Sequence, residues 1–184
     1  MDLYSFKNFK SITNEEVHLV FEWRNHIEIR KWMYNEDLIP FDKHIMFIEN
    51  LKSDDTKQYW LVQRKGIYTG ITSIVDYANN KGEMGYYISP YLHKMNIGIE
   101  FYYFCLEFLF EKQKIQEIDG YALASNSKAN SISRFFETEG ELIQKIINGK
   151  ENAYYFNCIV SSKWFNEIKN DSKIQRILNI TKRM

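Results

Sequence analysis

The segment "NIGIEFYYFCLEFLFEKQK", residues 96–114, constrains the chain more than any other. From about Ile99 to Lys112 it has helical spacing, and its polar positions Glu100, Glu107, Glu111 and Lys114 fall seven, four and three apart. They leave one narrow stripe for solvent, with apolar side chains around the rest, as in a helix laid against a sheet. The pattern predicts a domain in which this helix covers one face of a sheet.

The flanking sequence supplies that sheet. "YSFKNFKSI" alternates like a first strand, and "TNEE" reads as a capping box, with Thr13 at the cap and Glu16 three residues on. The helix that follows carries Val17, Val20, Phe21 and Arg24 on one face, and a second helix opens after Pro40. "QYWLVQRKGIYTGITSIV" reads as two strands around Lys65-Gly66, and "YANNKGEMGYYIS" as a further turn and strand. After the apolar helix come a strand in "EIDGYALA", a turn and helix in "NSKANSISRFFETEG", and a hairpin turning at Asn148-Gly149. The expected fold is α/β of the α+β kind: a mixed, mostly antiparallel sheet of about seven strands, with helices on both faces. Residues 1–160 form the expected domain. Residues 161–184, with Trp164, Phe165, Ile168, Ile174, Ile177 and Leu178 at helical spacing, form a C-terminal helical extension. Packing back on the domain is the simplest role for it; a homodimer contact or a partner site is the alternative.

Charge and composition narrow the function. Lys and Arg number 24 against 24 Asp and Glu, so no global field draws the chain to nucleic acid or an anionic membrane. No apolar run reaches transmembrane length, and the N-terminus lacks an apolar signal core, so the expectation is a cytoplasmic protein. Cys105 and Cys158 lie in apolar runs with no histidine at metal-ligand spacing, which predicts buried thiols and no metal.

The loop before the apolar helix is the chemical lead. His93, Asn96 and Gly98 stand at spacings of three and two, in a turn that needs residues tolerant of left-handed backbone. Amides of such a turn, running into a helix N-terminus, make a nest for phosphate oxygens. A plain strand-to-helix connection has the same pattern.

With the order of elements, this loop resembles that of the GNAT acyltransferase superfamily. There the corresponding sequence is Gln or Arg, two residues, Gly, one residue, Gly or Ala, and it cradles the pyrophosphate of acetyl-CoA. His93-x-x-Asn96-x-Gly98 matches with two substitutions. The resemblance covers about residues 1–160 and implies acetyl-CoA as co-substrate. It implies contacts from Tyr87, Ile88, His93, Lys94, Asn96, Ile97, Gly98 and Ile99, and from Asn126, Ser131, Arg134 and Phe135 further on. Gly85, on the face of Tyr87, would let a pantetheine arm approach the strand. The blocks "FEWRNH", "KWMYN", "PFDKHIMFIENLK" and "YWLV" look like the N-acetyltransferases of the pseudaminic acid pathway. Those enzymes acetylate the 4-amino group of a UDP-linked amino-dideoxy sugar.

The same blocks carry the substrate candidates. Arg24 on an apolar helix face needs an anion: a neighbouring carboxylate, or the diphosphate of a nucleotide sugar. His44 sits in a stripe with Phe41, Ile48 and Leu51, as a core histidine or as a substrate contact. Trp32 and Tyr34 can stack on a base or sugar, or pack between helices; Tyr87 borders the cleft, and Asp76 is either a substrate contact or a turn residue. Acyl transfer to an amine calls for a base and for a proton on the leaving thiolate. Glu83 and Tyr121 occupy the neighbourhoods where the family places a base. GNAT enzymes commonly carry an acidic tyrosine on the helix after the fifth strand, where this chain has Phe135 and Phe136, so Tyr154 or Tyr155 is the candidate acid. Direct transfer in a ternary complex fits better than a covalent intermediate. The competing readings are acetylation of a protein N-terminus or an aminoglycoside, and an acetyl-CoA binder without catalysis.

Overall fold

The computed structural model describes residues 3–147 and 150–181, with the backbone alone at 145–147, 150–154 and 156–158. The strands are β1 (Tyr4–Asn8), β2 (Gln58–Arg64), β3 (Ile67–Ala78), β4 (Lys81–Ile88), β5 (Glu117–Leu123), β6 (Leu142–Ile147) and β7 (Lys150–Ser161). They form one seven-stranded sheet in the order β1-β2-β3-β4-β5-β7-β6. The helices are α1 (Asn14–Asn25), α2 (Ile27–Arg30), α3 (Phe41–Asn50), α4 (Gly98–Glu107), α5 (Ser127–Phe135), α6 (Ser162–Ile168) and α7 (Ser172–Thr181).

Local chemistry accounts for most of the boundaries. The capping box closes on both sides: Glu16 N donates to Thr13 Oγ1 at 3.3 Å, and Thr13 N to Glu16 Oε2 at 2.6 Å. The β2–β3 turn has φ of 50° at Lys65 and 79° at Gly66, and the β3–β4 turn has 51° and 62° at Asn79 and Asn80. Both are two-residue hairpin turns of the kind whose twist matches the strands. The Asn148-Gly149 turn, and the side chain of Cys158, lie outside the described residues.

Alternation along the strands gives the sheet two apolar faces. One packs Leu61 and Ile71 against Val20 and Trp23 of α1 and Ile48 of α3. The other packs Trp60, Val62, Ile74, Met84 and Ile118 against Phe101, Leu106 and Leu109. Phe165 of α6 and Ile174 and Leu178 of α7 join that second core. The apolar helix ends in a π-helical turn over Phe108–Lys112.

One expectation for α4 is overturned. Glu100 is not on a solvated stripe; it is 1% exposed. Its Oε2 accepts from Arg64 Nε at 3.0 Å and from Tyr4 Oη at 3.3 Å, and Arg64 Nη2 also donates to Thr181 O at 2.5 Å. Arg64 at the end of β2 and the last turn of α7 converge on the first turn of α4, which the periodicity of α4 alone does not reveal.

The sheet changes character between β4 and β5. Their parallel ladder covers only Lys81↔Glu117 to Met84↔Gly120. Beyond it β4 stays with β3 as far as Ile88, while β5 stays with β7 as far as Leu123. The two strands part there and open a cleft in the sheet.

Removing one member of the buried pair leaves the other charged and unpaired. Glu100→Leu alone is expected to cost about 3–5 kcal/mol in urea unfolding, and Arg64→Met/Glu100→Leu to recover most of it.

Candidate active site

Two features meet where β4 and β5 part. The first is the turn into α4. Ser89 N donates to Thr69 O at 2.8 Å, and a single 3-10 turn at Pro90–Leu92 follows. Asn96 takes a left-handed φ of 52°, and His93 Nε2 lies 3.0 Å from Ile88 O, folding the turn onto the strand end. Helical bonding begins with Phe101 N to Ile97 O at 2.8 Å, and Ile97 offers no side-chain cap. Among the described residues, no acceptor takes the amides of Ile97, Gly98, Ile99 or Glu100. An uncapped helix start with unclaimed amides is the kind of place that suits an anion.

The second feature is a set of phenols around one carboxylate. Tyr34 Oη donates to Glu83 Oε1 at 2.5 Å, and the Tyr34 ring meets Tyr155 edge-on at 5.6 Å. Burial and then the Glu83 bond push the Tyr34 phenol far up. Tyr155 is raised by burial and by the Glu83 charge, and Tyr121 by burial, Asp119 and Glu83. Glu83 on β4, Tyr121 on β5 and Tyr155 on β7 thus share one field across the gap.

Arg24 lies on the same side of the sheet. Its Nη2 donates to Asn35 O at 2.7 Å, while Nη1 is buried without a protein partner. Among the described residues no carboxylate pairs with it. Burial holds its pKa below the ordinary guanidinium value, opposed by the nearby Tyr87 and Tyr59 oxygens. His44, 5% exposed, hydrogen-bonds the Val17 backbone and leaves Nε2 buried without a partner.

Residues 8–134 match the family model of the acetyltransferase (GNAT) domain. The chain belongs to the GNAT acetyltransferase family. Two Campylobacter jejuni proteins called acetyltransferase PseH are 31% and 29% identical over 127 residues, 69% of this chain and 79% of each relative. The crystal structure of Campylobacter jejuni N-acetyltransferase PseH in complex with acetyl coenzyme A superposes with a TM-score of 0.64. It is 23% identical and covers 86% of this chain and 99% of that one. Spermidine N-acetyltransferase from Vibrio cholerae, in complex with CoA and spermine, has a TM-score of 0.75 at 14% identity, covering 89% of this chain and 98% of that one, a likeness of fold.

Within this GNAT frame, the sequence-predicted residues divide. Glu83, Tyr121 and Tyr34 come together, and Tyr155 joins them; the Tyr154 side chain lies outside the described residues. Arg24, His44 and Tyr87 form a second group. Tyr87 and Ile88 end β4 directly before the turn that carries His93, Lys94, Asn96, Ile97, Gly98 and Ile99.

The backbone of Gly98 departs from expectation, and several other candidates have partners within the fold. Gly98 is not left-handed; it is small because a Cβ there would stand 3.1 Å from Ile132 Cδ1 of α5. Gly85 faces β3, where a Cβ would meet Ser73 Oγ at 2.8 Å. Asn126 caps α5, accepting from Ala129 N at 3.2 Å. Ser131 bonds Lys128 O, Arg134 pairs with Glu139 at 2.9 Å, and Phe135 lies under Lys173 at 4.5 Å. Phe136 is buried against Tyr102, in the core. Trp32 is half-exposed under Lys31, and Asp76 sits exposed at a β3 bulge with φ of 52°. Asn130 went unforeseen: its Nδ2 donates to Leu123 O and Ala124 O, each at 3.1 Å, tying the end of β5 to α5.

His44 gives a test of the buried group. Burial holds its pKa below the ordinary value, so the unfolded chain takes up a proton that the native site refuses. Its contribution is complete above the unfolded pKa and lost as pH falls. The wild-type melting temperature is therefore expected to drop more between pH 8 and pH 5 than that of His44→Gln, measured by calorimetry.

Proposed function

We propose that this GNAT enzyme transfers the acetyl group of acetyl-CoA to the amine of a UDP-linked amino-dideoxy sugar, by direct attack in a ternary complex. The reaction belongs to nucleotide-sugar chemistry of the pseudaminic acid type. The observation that carries the sugar-nucleotide reading is Arg24. A guanidinium with one nitrogen buried and unpaired, beside the partnerless His44 Nε2, is costly unless an anion completes it. A diphosphate suits the planar fork of arginine. The relatives named acetyltransferase PseH support acetyl transfer in pseudaminic acid biosynthesis.

The cofactor fit rests on the α4 start and the parting strands. Amides of Ile97, Gly98 and Ile99 would hold the CoA diphosphate, and the β4 edge beyond Met84 would align the acyl arm. The acetyl thioester then lies beside the Glu83 group. The neutral sugar amine attacks the carbonyl, its proton passes to Glu83, the C–N bond forms and the C–S bond breaks. The departing thiolate takes a proton, for which the buried phenol of Tyr155 is the donor in reach of the same field. Glu83 and Tyr155 return to their starting states by exchange with water.

Incubation with acetyl-CoA and a UDP-linked 4-amino-dideoxy sugar is expected to add one acetyl group to the sugar nucleotide, read by mass spectrometry. Glu83→Gln is expected to lower kcat by about 10²–10⁴. Arg24→Met is expected to raise the sugar-nucleotide KM about tenfold or more, with the acetyl-CoA KM unchanged. Absence of acetyl gain on any nucleotide sugar, with acetyl-CoA bound, contradicts the substrate class.

A further inference from the structure

The segment between α2 and α3 is not a loose loop. Arg24 Nη2 donates to Asn35 O and Arg30 Nη1 to Glu36 O, each at 2.7 Å. Asn25 makes two bonds to Ile39, Nδ2 to O at 2.9 Å and Oδ1 from N at 2.8 Å. Trp32 N and Met33 N close the N-terminal side on Ile29 O and Arg30 O, both at 3.0 Å. Side chains of α1 and α2 on the C-terminal side, and backbone carbonyls of α2 on the N-terminal side, therefore strap the chain down around Tyr34. The strap delivers the Tyr34 hydroxyl to Glu83 Oε1, with the ring steadied edge-on by Tyr155.

From this geometry we infer that Tyr34 is a positioning residue for acyl transfer: its strapped hydroxyl fixes the plane of the Glu83 carboxylate that receives the amine proton. This rests on the reading of Glu83 as the base. A glutamate side chain at the mouth of an open cleft has rotamers to lose, and proton transfer needs one geometry. A hydroxyl bond to one oxygen removes most of that freedom before substrate arrives, and the preorganisation appears in kcat rather than in binding. Arg24 gains a second role here, since the same guanidinium that offers Nη1 to the substrate holds the residue next to Tyr34.

The test uses the full chain with acetyl-CoA and the UDP-linked 4-amino-dideoxy sugar. Tyr34→Phe keeps the ring and deletes the hydroxyl. It is expected to lower kcat about tenfold to a hundredfold, with both KM values within about twofold and the melting temperature unchanged. Tyr34→Phe/Glu83→Gln is expected to lose no more than Glu83→Gln alone, because the two act as a unit. A wild-type kcat in Tyr34→Phe beside a dead Glu83→Gln overturns the positioning role and leaves the base intact. A rise in sugar KM at unchanged kcat makes Tyr34 a stacking contact and overturns it also. Full activity in Glu83→Gln removes the base and the inference together.

Discussion

The parting of β4 from β5 after Met84↔Gly120 is the constraint on which the site depends. A half-buried strand edge without a neighbouring strand leaves amides and carbonyls open to another partner. Here β3 continues to hold β4 on one side, and Asn130 holds the end of β5 through the carbonyls of Leu123 and Ala124. Ile132 on the same helix packs against Gly98, so α5 is wedged between the β5 end and the start of α4. The gap is thus framed on each side by bonds that do not cross it. An extended amide-bearing arm is the kind of ligand that such an edge accepts.

The amide end of α4 is kept in place by a device of a different kind. Glu100 stands in the first helical turn, buried, and its carboxylate is held by Arg64 and Tyr4. Arg64 in turn reaches Thr181 O, so the last turn of α7 is tied to the same point. A negative group in the first turn suits the helix dipole, and the outer amides of Gly98 and Ile99 have no acceptor among the described residues. The described part of the tail is therefore tied to the first turn of α4 through Arg64.

What could be read from the sequence follows the range of each interaction. Thr13 and Glu16 are three residues apart, and Lys65-Gly66 is a two-residue turn; both were legible because their physics is local. The turn before α4 was legible in its backbone, with Asn96 left-handed as its type suggests, while Gly98 proved to serve helix contact instead. Glu100 misled because its partner Arg64 lies on another element, and a spacing rule sees an acid only as solvated. The Glu83 group joins β4, β5, β7 and the strap after α2, so no pattern within one segment could assemble it. Tyr155 was within reach of strand logic as one of two neighbours, but its contact with Tyr34 came only with the fold.

The central claim is that the first amides of α4 grip the diphosphate of acetyl-CoA beside the opened strands. Amide nitrogen–proton spectra recorded during an acetyl-CoA titration test it directly. The account predicts saturable shifts at Gly98, Ile99 and Glu100, with slowed hydrogen exchange at those amides when bound. Binding that leaves these amides unmoved, with the shifts elsewhere, would contradict it.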